Sequence, residues 1–228
     1  MFNVAKYSTE EITKAVAEAL SGNDKNPIVQ AYDNVVNKTD LNNINDLLES
    51  NQFVNRTIFI EDIVEGVGLA VDSIIKLHNQ YDDLNNIPIE ERKPIKICIN
   101  SNGGLLTEAL ISVDAIRMSK TPVYTINTGK AYSGGFLIFI TGHKRFVYPN
   151  STFLFHEGSS GMEGDAHKFR NYAEFYQNEV KRMKNVILQY TKFSPEFYEQ
   201  HSKDDLWFFA EEAIEWGVAD EIATELIF

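Results

Sequence analysis

Strand-like and helix-like segments alternate along the chain from residue 56 onward. Pro94–Asn100 and Pro122–Asn127 are short runs typical of strands, and the helix-like segment Leu105–Met118 separates them. Further strands are predicted at Thr57–Ile60, Phe146–Tyr148 and Thr152–Phe155, and further helices at Gly66–Leu77 and Gly134–Thr141. This alternation predicts an α/β fold with a largely parallel sheet. In such sheets the ligand crevice lies at the carboxyl ends of the strands.

Charge and apolar patterning argue against several classes of protein. The 228-residue chain has a formal net charge of -12, whereas sequence-independent nucleic-acid binding needs a groove lined by Lys and Arg. The apolar run Phe136–Ile140 is far shorter than the roughly 20 residues of a membrane-spanning helix. The single cysteine, Cys98, has no partner for an internal disulfide, and no secretory signal is recognisable. We therefore expect a cytoplasmic protein that binds neither nucleic acid nor membranes.

Residues 1–54 differ in character from the rest of the chain. Ser8–Glu11 matches a capping box, which predicts a short amphipathic helix that ends before Gly22. A second helical stretch is predicted around Val29–Val36, and asparagine-rich connectors separate the pieces. We therefore expect a helical extension over residues 1–54 and one main domain over residues 55–228.

A long amphipathic helix is predicted at about residues 165–190. Aromatic and apolar side chains recur there at intervals of three or four residues, among them Phe169, Tyr172, Tyr176 and Tyr190. With a rise of about 1.5 Å per residue, the helix is about 39 Å long. A compact core of this size does not cover such a length. We therefore expect the helix to project and to contact another copy of the chain.

Ser133 lies between a predicted strand and a predicted apolar helix, and glycines flank it. The start of a helix offers unpaired N–H groups and a favourable dipole to developing negative charge. The N–H of Gly134 follows the serine directly, where one oxyanion donor is needed. Because residue 131 is alanine, the segment is not the Gly-x-Ser-x-Gly elbow of α/β-hydrolases. Taken alone, a serine among glycines is more often a structural turn than a nucleophile.

His156 is the histidine best placed to act as a general base. It ends the predicted strand Thr152–Phe155, at a strand terminus where a base could face the crevice. His78, in contrast, lies in a polar helical segment and is expected to face solvent. A carboxylate partner could be Asp204 or Asp205, which stand side by side, and the local pattern does not choose between them.

Four stretches of the chain, in order, resemble the Clp protease proteolytic subunit, within the wider crotonase-like superfold. They read RTIFI at residues 56–60, ICINSNGG to FITG at 97–142, KRFVYPNSTFLFHEG at 144–158 and DDLWFFAEEAIEWGVADEI at 204–222. The likeness extends over about residues 46–222. It implies a spiral of repeated ββα units from which the long helix projects as a handle.

The resemblance also implies a role for individual residues. Ser133 matches the nucleophile, His156 the general base and Asp205 the orienting acid, since Asp205 stands five residues before the Ala-Glu-Glu-Ala motif. Gly104 and Gly134 match the residues whose backbone N–H groups form the oxyanion hole. The strand that pairs with an extended substrate matches Gly158, Ser159, Ser160 and Gly161. No metal or other cofactor is implied.

The family likeness implies a self-compartmentalised homo-oligomer that cleaves peptides and unfolded proteins. The ring would be a heptamer that can stack as a tetradecamer. Family members also receive substrates from an AAA+ unfoldase ATPase, but Lys96 and Cys98 replace the aromatic residues that dock it. Residues 1–54 replace the pore-lining hairpin, Lys203-Asp204 replaces an Asp-Arg pair, and Glu157 replaces a glutamine. We therefore do not expect a standard unfoldase to dock.

A serine endopeptidase of the Clp type is the leading functional hypothesis. One alternative is a catalytically inactive relative that serves as a ring scaffold or regulator. The other is a crotonase-type acyl-CoA enzyme, which shares the fold and an oxyanion hole but uses Glu or Asp in place of the serine–histidine pair. Fold alone does not separate the three, because one scaffold hosts several chemistries.

Overall fold

The computed structural model describes residues 55–161 and 163–227, so the predicted extension at residues 1–54 lies outside the described residues. The strands are β1 (Thr57–Ile63), β2 (Ile95–Gly104), β3 (Val123–Tyr132), β4 (Lys144–Val147), β5 (Thr152–Phe155), β6 (Leu206–Phe209) and β7 (Glu221–Ile222). The helices are α1 (Val67–Leu84), α2 (Leu106–Met118), α3 (Gly134–Ile140), α4 (Ala166–Tyr190), α5 (Pro195–His201) and α6 (Ala210–Glu215), with a 3₁₀ turn at Ile89–Glu91.

The seven described strands form one mixed but largely parallel sheet, which confirms the predicted fold class. Parallel neighbours follow the order β1-β2-β3-β4-β7, and β5 pairs with the end of β3. The remaining pair of strands, β5 and β6, is antiparallel. Successive parallel strands are connected through α1, α2 and α3, as expected for βαβ units.

One face of the sheet packs against the helices and forms the main core. Ile95, Ile97 and Ile99 alternate along β2 and are fully buried in it. All seven residues of α3 are buried as well, so this helix lies inside the domain. The apolar run that predicted a short helix is therefore a central core element, whose first residue follows Ser133.

β3 extends five residues beyond the predicted strand end at Asn127 because it changes partners. Its first half pairs with β2 and β4, whereas Lys130–Tyr132 pairs with Thr152–Leu154 of β5. The register between β2 and β3 shifts after Ile99. This bend carries the carboxyl end of β3, and with it Ser133, toward β5.

The long helix α4 has two different halves. It begins at the predicted place, because the Asp165 carboxylate caps it by accepting the N–H groups of His167 and Lys168 at 3.0 Å. Met183 and Ile187 in the second half are buried in the chain's own core. The first half, by contrast, carries exposed phenylalanines, Phe169 at 55% and Phe175 at 57%.

Arg145 fixes the carboxyl end of α4 to the sheet. Its Nη1 atom donates to the carbonyl of Tyr190 at 2.6 Å and to the carbonyl of Gly217 at 2.8 Å. Its Nε atom donates to the Asp220 carboxylate at 3.0 Å. One guanidinium on β4 therefore joins the end of α4, the turn after α6 and the approach to β7.

His78 is buried, so the prediction that it faces solvent was wrong. α1 continues to Leu84, and a buried ion pair lies beside the histidine, with Arg56 Nη1 2.8 Å from the Asp82 carboxylate. The Thr121 hydroxyl also donates to Asp82, at 2.7 Å. Burial, and then the positive charge of Arg56, lowers the pKa of His78 to about 4. The histidine is therefore neutral near pH 7.

Among the described helices, none combines the length and the apolar character that crossing a membrane requires.

Candidate active site

Ser133 occupies a sharp turn between β3 and α3. Its backbone has φ 52° and ψ -116°, a conformation that non-glycine residues rarely adopt. Two contacts hold it there. The Ser133 N–H donates to the carbonyl of Leu154 on β5 at 3.0 Å, and the Ser133 carbonyl accepts the N–H of Phe136 at 3.0 Å. Positive φ at a residue that its surroundings fix is a frequent property of functional sites.

Two glycines predicted as oxyanion donors lie against this turn. A Cβ atom placed on Gly134 would be 3.7 Å from the backbone nitrogen of Gly104, so the two N–H groups are neighbours. Gly103 packs even more closely, because a Cβ there would be 2.8 Å from the Cβ of Ser133. Gly103 and Gly104 have φ values of 95° and 147°, and only glycine adopts such values without strain.

His156 follows the last residue of β5 and is held from the side of Asp205. Its Nδ1 atom is 3.1 Å from the Asp205 carboxylate. The histidine side chain is 28% exposed and the aspartate side chain 56% exposed. With Nδ1–H donating to Asp205, the neutral imidazole presents Nε2 as an acceptor. The contact therefore suits the tautomer that a general base requires.

The antiparallel pairing of β5 with β6 produces this contact. Phe155 is opposite Leu206 in the register, so the residues just outside the pair, His156 and Asp205, are also opposite each other. Asp204 precedes this position by one residue, and successive residues of an extended chain point to opposite sides. The local sequence could not choose between the two aspartates, but the structure brings Asp205 to the histidine.

Ser133 and His156 are both connected to β5. Leu154, which accepts the Ser133 N–H, is two residues before His156, so its side chain and that of His156 share one face of the strand. No hydrogen bond joins the Ser133 hydroxyl to the His156 ring within residues 55–161 and 163–227. Catalytic hydrogen bonds often tighten only in the substrate complex.

A cleft of about 380 Å³ adjoins His156 and Asp205. Its lining comes from the segment after the histidine and from the loop before β6, and consists of His156, Glu157, Gly158, Ser159, Ser202, Lys203 and Asp205. The predicted substrate strand, Gly158–Gly161, starts in this cleft and forms neither helix nor paired strand. Its backbone is therefore available for pairing with an extended chain.

Two tyrosines of α4, which the apolar pattern assigned only to the oligomer contact, hold this segment. The Tyr176 hydroxyl donates to the carbonyl of Glu157 at 3.2 Å, and the Tyr172 hydroxyl contacts the Ser160 hydroxyl. On the other side, the Glu157 N–H donates to the carbonyl of Ser202 at 2.9 Å. Burial, then the Glu157 charge, raises the pKa of Tyr176, so its hydroxyl stays a donor. In the sequence, the tyrosine hydroxyls on an otherwise apolar helix face were the feature that could have predicted these contacts.

Comparison with known families decides the relationship. The family model described as Clp protease matches residues 73–226, about two thirds of the chain. The chain belongs to the Clp protease family. The matched range includes Gly104, Ser133, Gly134, His156 and Asp205, and the mixed α/β sheet agrees with the Clp protease fold. Membership in the Clp protease family supports a peptidase activity.

In the described part of the chain, no group of three or more His, Cys, Asp or Glu side chains is arranged to hold a metal ion.

Proposed function

We propose that the protein is a serine endopeptidase that hydrolyses peptide bonds inside a self-compartmentalised ring of identical subunits. The observation that carries the proposal is the arrangement around Ser133. A strained serine at a helix start lies beside two glycine N–H groups, and it is tied through β5 to a histidine with a carboxylate on Nδ1.

The proposed reaction has two halves. The Ser133 oxygen attacks the substrate carbonyl carbon while His156 Nε2 takes the hydroxyl proton, and the N–H groups of Gly104 and Gly134 stabilise the oxyanion. The C–N bond then breaks, and the imidazolium gives its proton to the leaving amine. Water, deprotonated by His156, hydrolyses the acyl-enzyme and restores Ser133. Asp205 keeps the imidazole oriented throughout.

A substrate with an extended backbone fits the cleft. The unpaired segment Gly158–Gly161 lies directly beyond the base, so a peptide that pairs with it would pass His156 and approach Ser133. Hydrogen bonds between backbones do not depend on the identity of most substrate side chains. Such binding is therefore compatible with the cleavage of many different peptides and unfolded proteins. Exposed Phe169 and Phe175 on α4 support the proposed assembly, because a projecting apolar surface favours contact between copies.

Covalent labelling tests the proposal. A fluorophosphonate should modify Ser133 alone, and Ser133→Ala should abolish both labelling and peptide cleavage. Labelling of another serine, with cleavage intact in the Ser133→Ala variant, would refute the assignment. A ring that assembles but is never labelled would instead favour the catalytically inactive scaffold. The observation that supports this alternative is that, in the part of the chain that the structure describes, no hydrogen bond joins the Ser133 hydroxyl to the His156 ring.

A further inference from the structure

The cleft beside His156 contains a buried hydroxyl group to which no residue of the described chain bonds. Ser202 lines this cleft and is 1% exposed, yet its Oγ atom has no hydrogen-bond partner within residues 55–161 and 163–227. Its backbone, by contrast, is bonded on both sides: the N–H donates to the carbonyl of Tyr198 at 2.8 Å, and the carbonyl accepts the N–H of Glu157 at 2.9 Å. Buried hydroxyls are nearly always hydrogen-bonded, because an unbonded one is unfavourable. The Ser202 hydroxyl therefore indicates a polar group that enters the cleft.

A carboxylate lies on the same side of the cleft. Glu157 lines the cleft, is half-buried, and is joined to Ser202 by the backbone hydrogen bond. Burial, then the negative charge of Glu157, raises the pKa of Tyr198 on α5. Ser202 ends α5 four residues after Tyr198, so their side chains lie on the same side of that helix. The Glu157 carboxylate and the Ser202 hydroxyl are therefore neighbours.

The charge of Glu157 is not neutralised within residues 55–161 and 163–227. No lysine, arginine or histidine of that part of the chain forms a salt bridge with it. Lys184 on α4 is paired with Glu199 instead. Lys203 also lines the cleft, but its side chain is exposed and it forms no salt bridge with Glu157 or Asp205 in the described chain. The cleft therefore attracts a cation.

A guanidinium group suits these oxygen atoms. A carboxylate binds guanidinium through two parallel hydrogen bonds, and the remaining N–H groups can donate to a hydroxyl. The cleft volume of about 380 Å³ is in the range of small-ligand clefts, about 300–1,000 Å³. Gly158 follows Glu157 directly and begins the proposed substrate strand, so a peptide paired with that strand would bring side chains to this cleft.

We propose that Glu157 and Ser202 form a subsite for a basic side chain of the substrate, arginine above all. The Glu157 carboxylate pairs with the guanidinium, and the Ser202 Oγ atom accepts one of its N–H groups. The inference rests on the proposed function, because it names a side chain of the peptide that the cleft receives. Hydrogen bonds between backbones do not distinguish arginine from a neutral residue, so this subsite would supply the preference.

Peptide binding to full-length Ser133→Ala protein tests the subsite without requiring cleavage. The probes are two fluorescein-labelled nine-residue peptides of alanine and serine that differ at the central position, which is arginine in one and citrulline in the other. Citrulline has nearly the shape of arginine but no charge. Fluorescence polarisation should give a Kd about tenfold lower, or less, for the arginine peptide, because hydrogen bonds to charged groups are the stronger ones. Equal Kd values, or no binding of either peptide, would overturn the proposal.

Glu157→Gln in the same Ser133→Ala background should remove the preference, so that the two peptides bind with equal Kd. Glu163→Gln is the matched control, because it removes the same charge at an exposed residue close to the proposed substrate strand. This control should keep the tenfold difference. Loss of the difference in both variants would mean that general negative charge attracts the peptide. Its persistence in Glu157→Gln would exclude this carboxylate.

Ser202→Ala separates a role in ligand binding from a structural role. Because the Oγ atom has no partner in the described chain, alanine should leave the thermal unfolding midpoint unchanged. It should nevertheless raise the Kd of the arginine peptide about fivefold, the effect of roughly one hydrogen bond. Ser151→Ala is the opposite control: this serine is also 1% exposed, but its hydroxyl donates to the carbonyl of Asn127 at 2.8 Å. It should lower the midpoint and leave the ratio of the two Kd values unchanged. A lower midpoint with an unaltered Kd in Ser202→Ala would contradict the subsite.

The failure of this inference and the failure of the proposed peptidase activity give different results. If Ser133 of the parent protein is not labelled and no peptide is cleaved, but arginine is still preferred in binding, the peptidase proposal fails and the subsite is supported. Labelling and cleavage without a preference for arginine over citrulline would support the peptidase and reject the subsite.

Discussion

Gly103 and Ser133 lie so close that a Cβ atom on the glycine would be 2.8 Å from the Cβ of the serine. The same atom would lie 2.8 Å from the carbonyl oxygen of Tyr132 and 3.1 Å from the nitrogen of Gly134. Real Cβ atoms do not approach backbone this closely, so a larger residue must push the serine turn away from its position. The identity of residue 103 therefore determines where the proposed nucleophile lies.

Gly103→Ala should abolish fluorophosphonate labelling of Ser133 while the protein still folds. The alanine meets both a positive φ of 95° and the contact with Ser133. Gly66→Ala is the matched control, because Gly66 has φ 91° but no atom within 4 Å of a Cβ. Both variants should be less stable in thermal melts, by about 1 kcal/mol for the backbone strain alone. Only Gly103→Ala should lose labelling; equal labelling in both variants would contradict the steric argument.

Asp205→Asn should lower kcat roughly 10⁴-fold, because the amide no longer holds the productive imidazole tautomer. Asp204→Asn removes a charge at the neighbouring position without touching the 3.1 Å contact to His156 Nδ1. Its rate should stay within a few-fold of the parent. Steady-state cleavage of a fluorogenic peptide measures both. Similar losses in the two variants would mean that the carboxylate acts through general charge.

Tyr176→Phe and Tyr172→Phe should have different kinetic effects, although the residues are one turn apart on α4. Tyr176 holds the carbonyl of Glu157, next to the base, so its loss should lower kcat about five-fold, the effect of about one hydrogen bond. Tyr172 contacts Ser160 in the proposed substrate strand, so its loss should raise KM for long peptides. Tyr190→Phe, on the same helix but away from this segment, is the control. If Tyr172→Phe and Tyr176→Phe showed the same kinetic change, they would not have separate roles.

Phe169→Asp combined with Phe175→Asp should reduce the particle size measured by light scattering. Both rings are more than half exposed on the projecting half of α4, so a charge there opposes burial between copies. Met118→Asp, at an even more exposed residue of α2, should leave the particle size unchanged. A particle of unaltered mass in the double variant would exclude this part of α4 from the assembly contact.

Stability should decrease as the pH falls from about 6.5 to about 4, through His78. Its folded pKa of about 4 is below the ordinary value of 6.5, so in this range only the unfolded chain takes up the proton. The contribution is complete above pH 6.5 and falls by about 3 kcal/mol by pH 4. Urea unfolding of His78→Leu should have a shallower pH dependence, whereas exposed His167→Leu should match the parent. An unchanged slope in His78→Leu would show that other groups cause the loss.

Parts of this fold follow from local pattern, and others depend on contacts that no local pattern contains. The apolar runs of β2, β3 and α3 are predictable because their side chains are buried on the helix-covered face. α1 continues past the predicted end at Leu77 because His78 and Asp82, polar in sequence, are buried beside Arg56 and Thr121. Those partners are 26 and 39 residues away from Asp82, outside any helical window.

The candidate active site, too, has features that local sequence predicts and features that depend on long-range contacts. The strand-to-helix turn at Ser133 was predictable from the glycines around it, and family resemblance gave its chemical role. The choice of Asp205 depended on the resemblance, because the contact with His156 arises from the pairing of β6, a strand that the local pattern did not predict. Likewise Tyr172 and Tyr176 were recognised only as part of an apolar stripe, and their hydroxyl contacts depend on a loop twelve to nineteen residues earlier.

The core packing of Met183 and Ile187, together with the bond from Arg145 to the Tyr190 carbonyl, fixes the second half of α4 to the sheet. The start of the helix lies about 25 Å from Met183. A tilt of about 8° around Met183 would move Tyr172 by more than 2 Å, because the two residues are roughly 16 Å apart along the helix. That displacement is enough to break a hydroxyl contact such as the one between Tyr172 and Ser160. A force applied to the tip of α4 would thus be felt at the proposed substrate strand, while the sheet below Arg145 stays still.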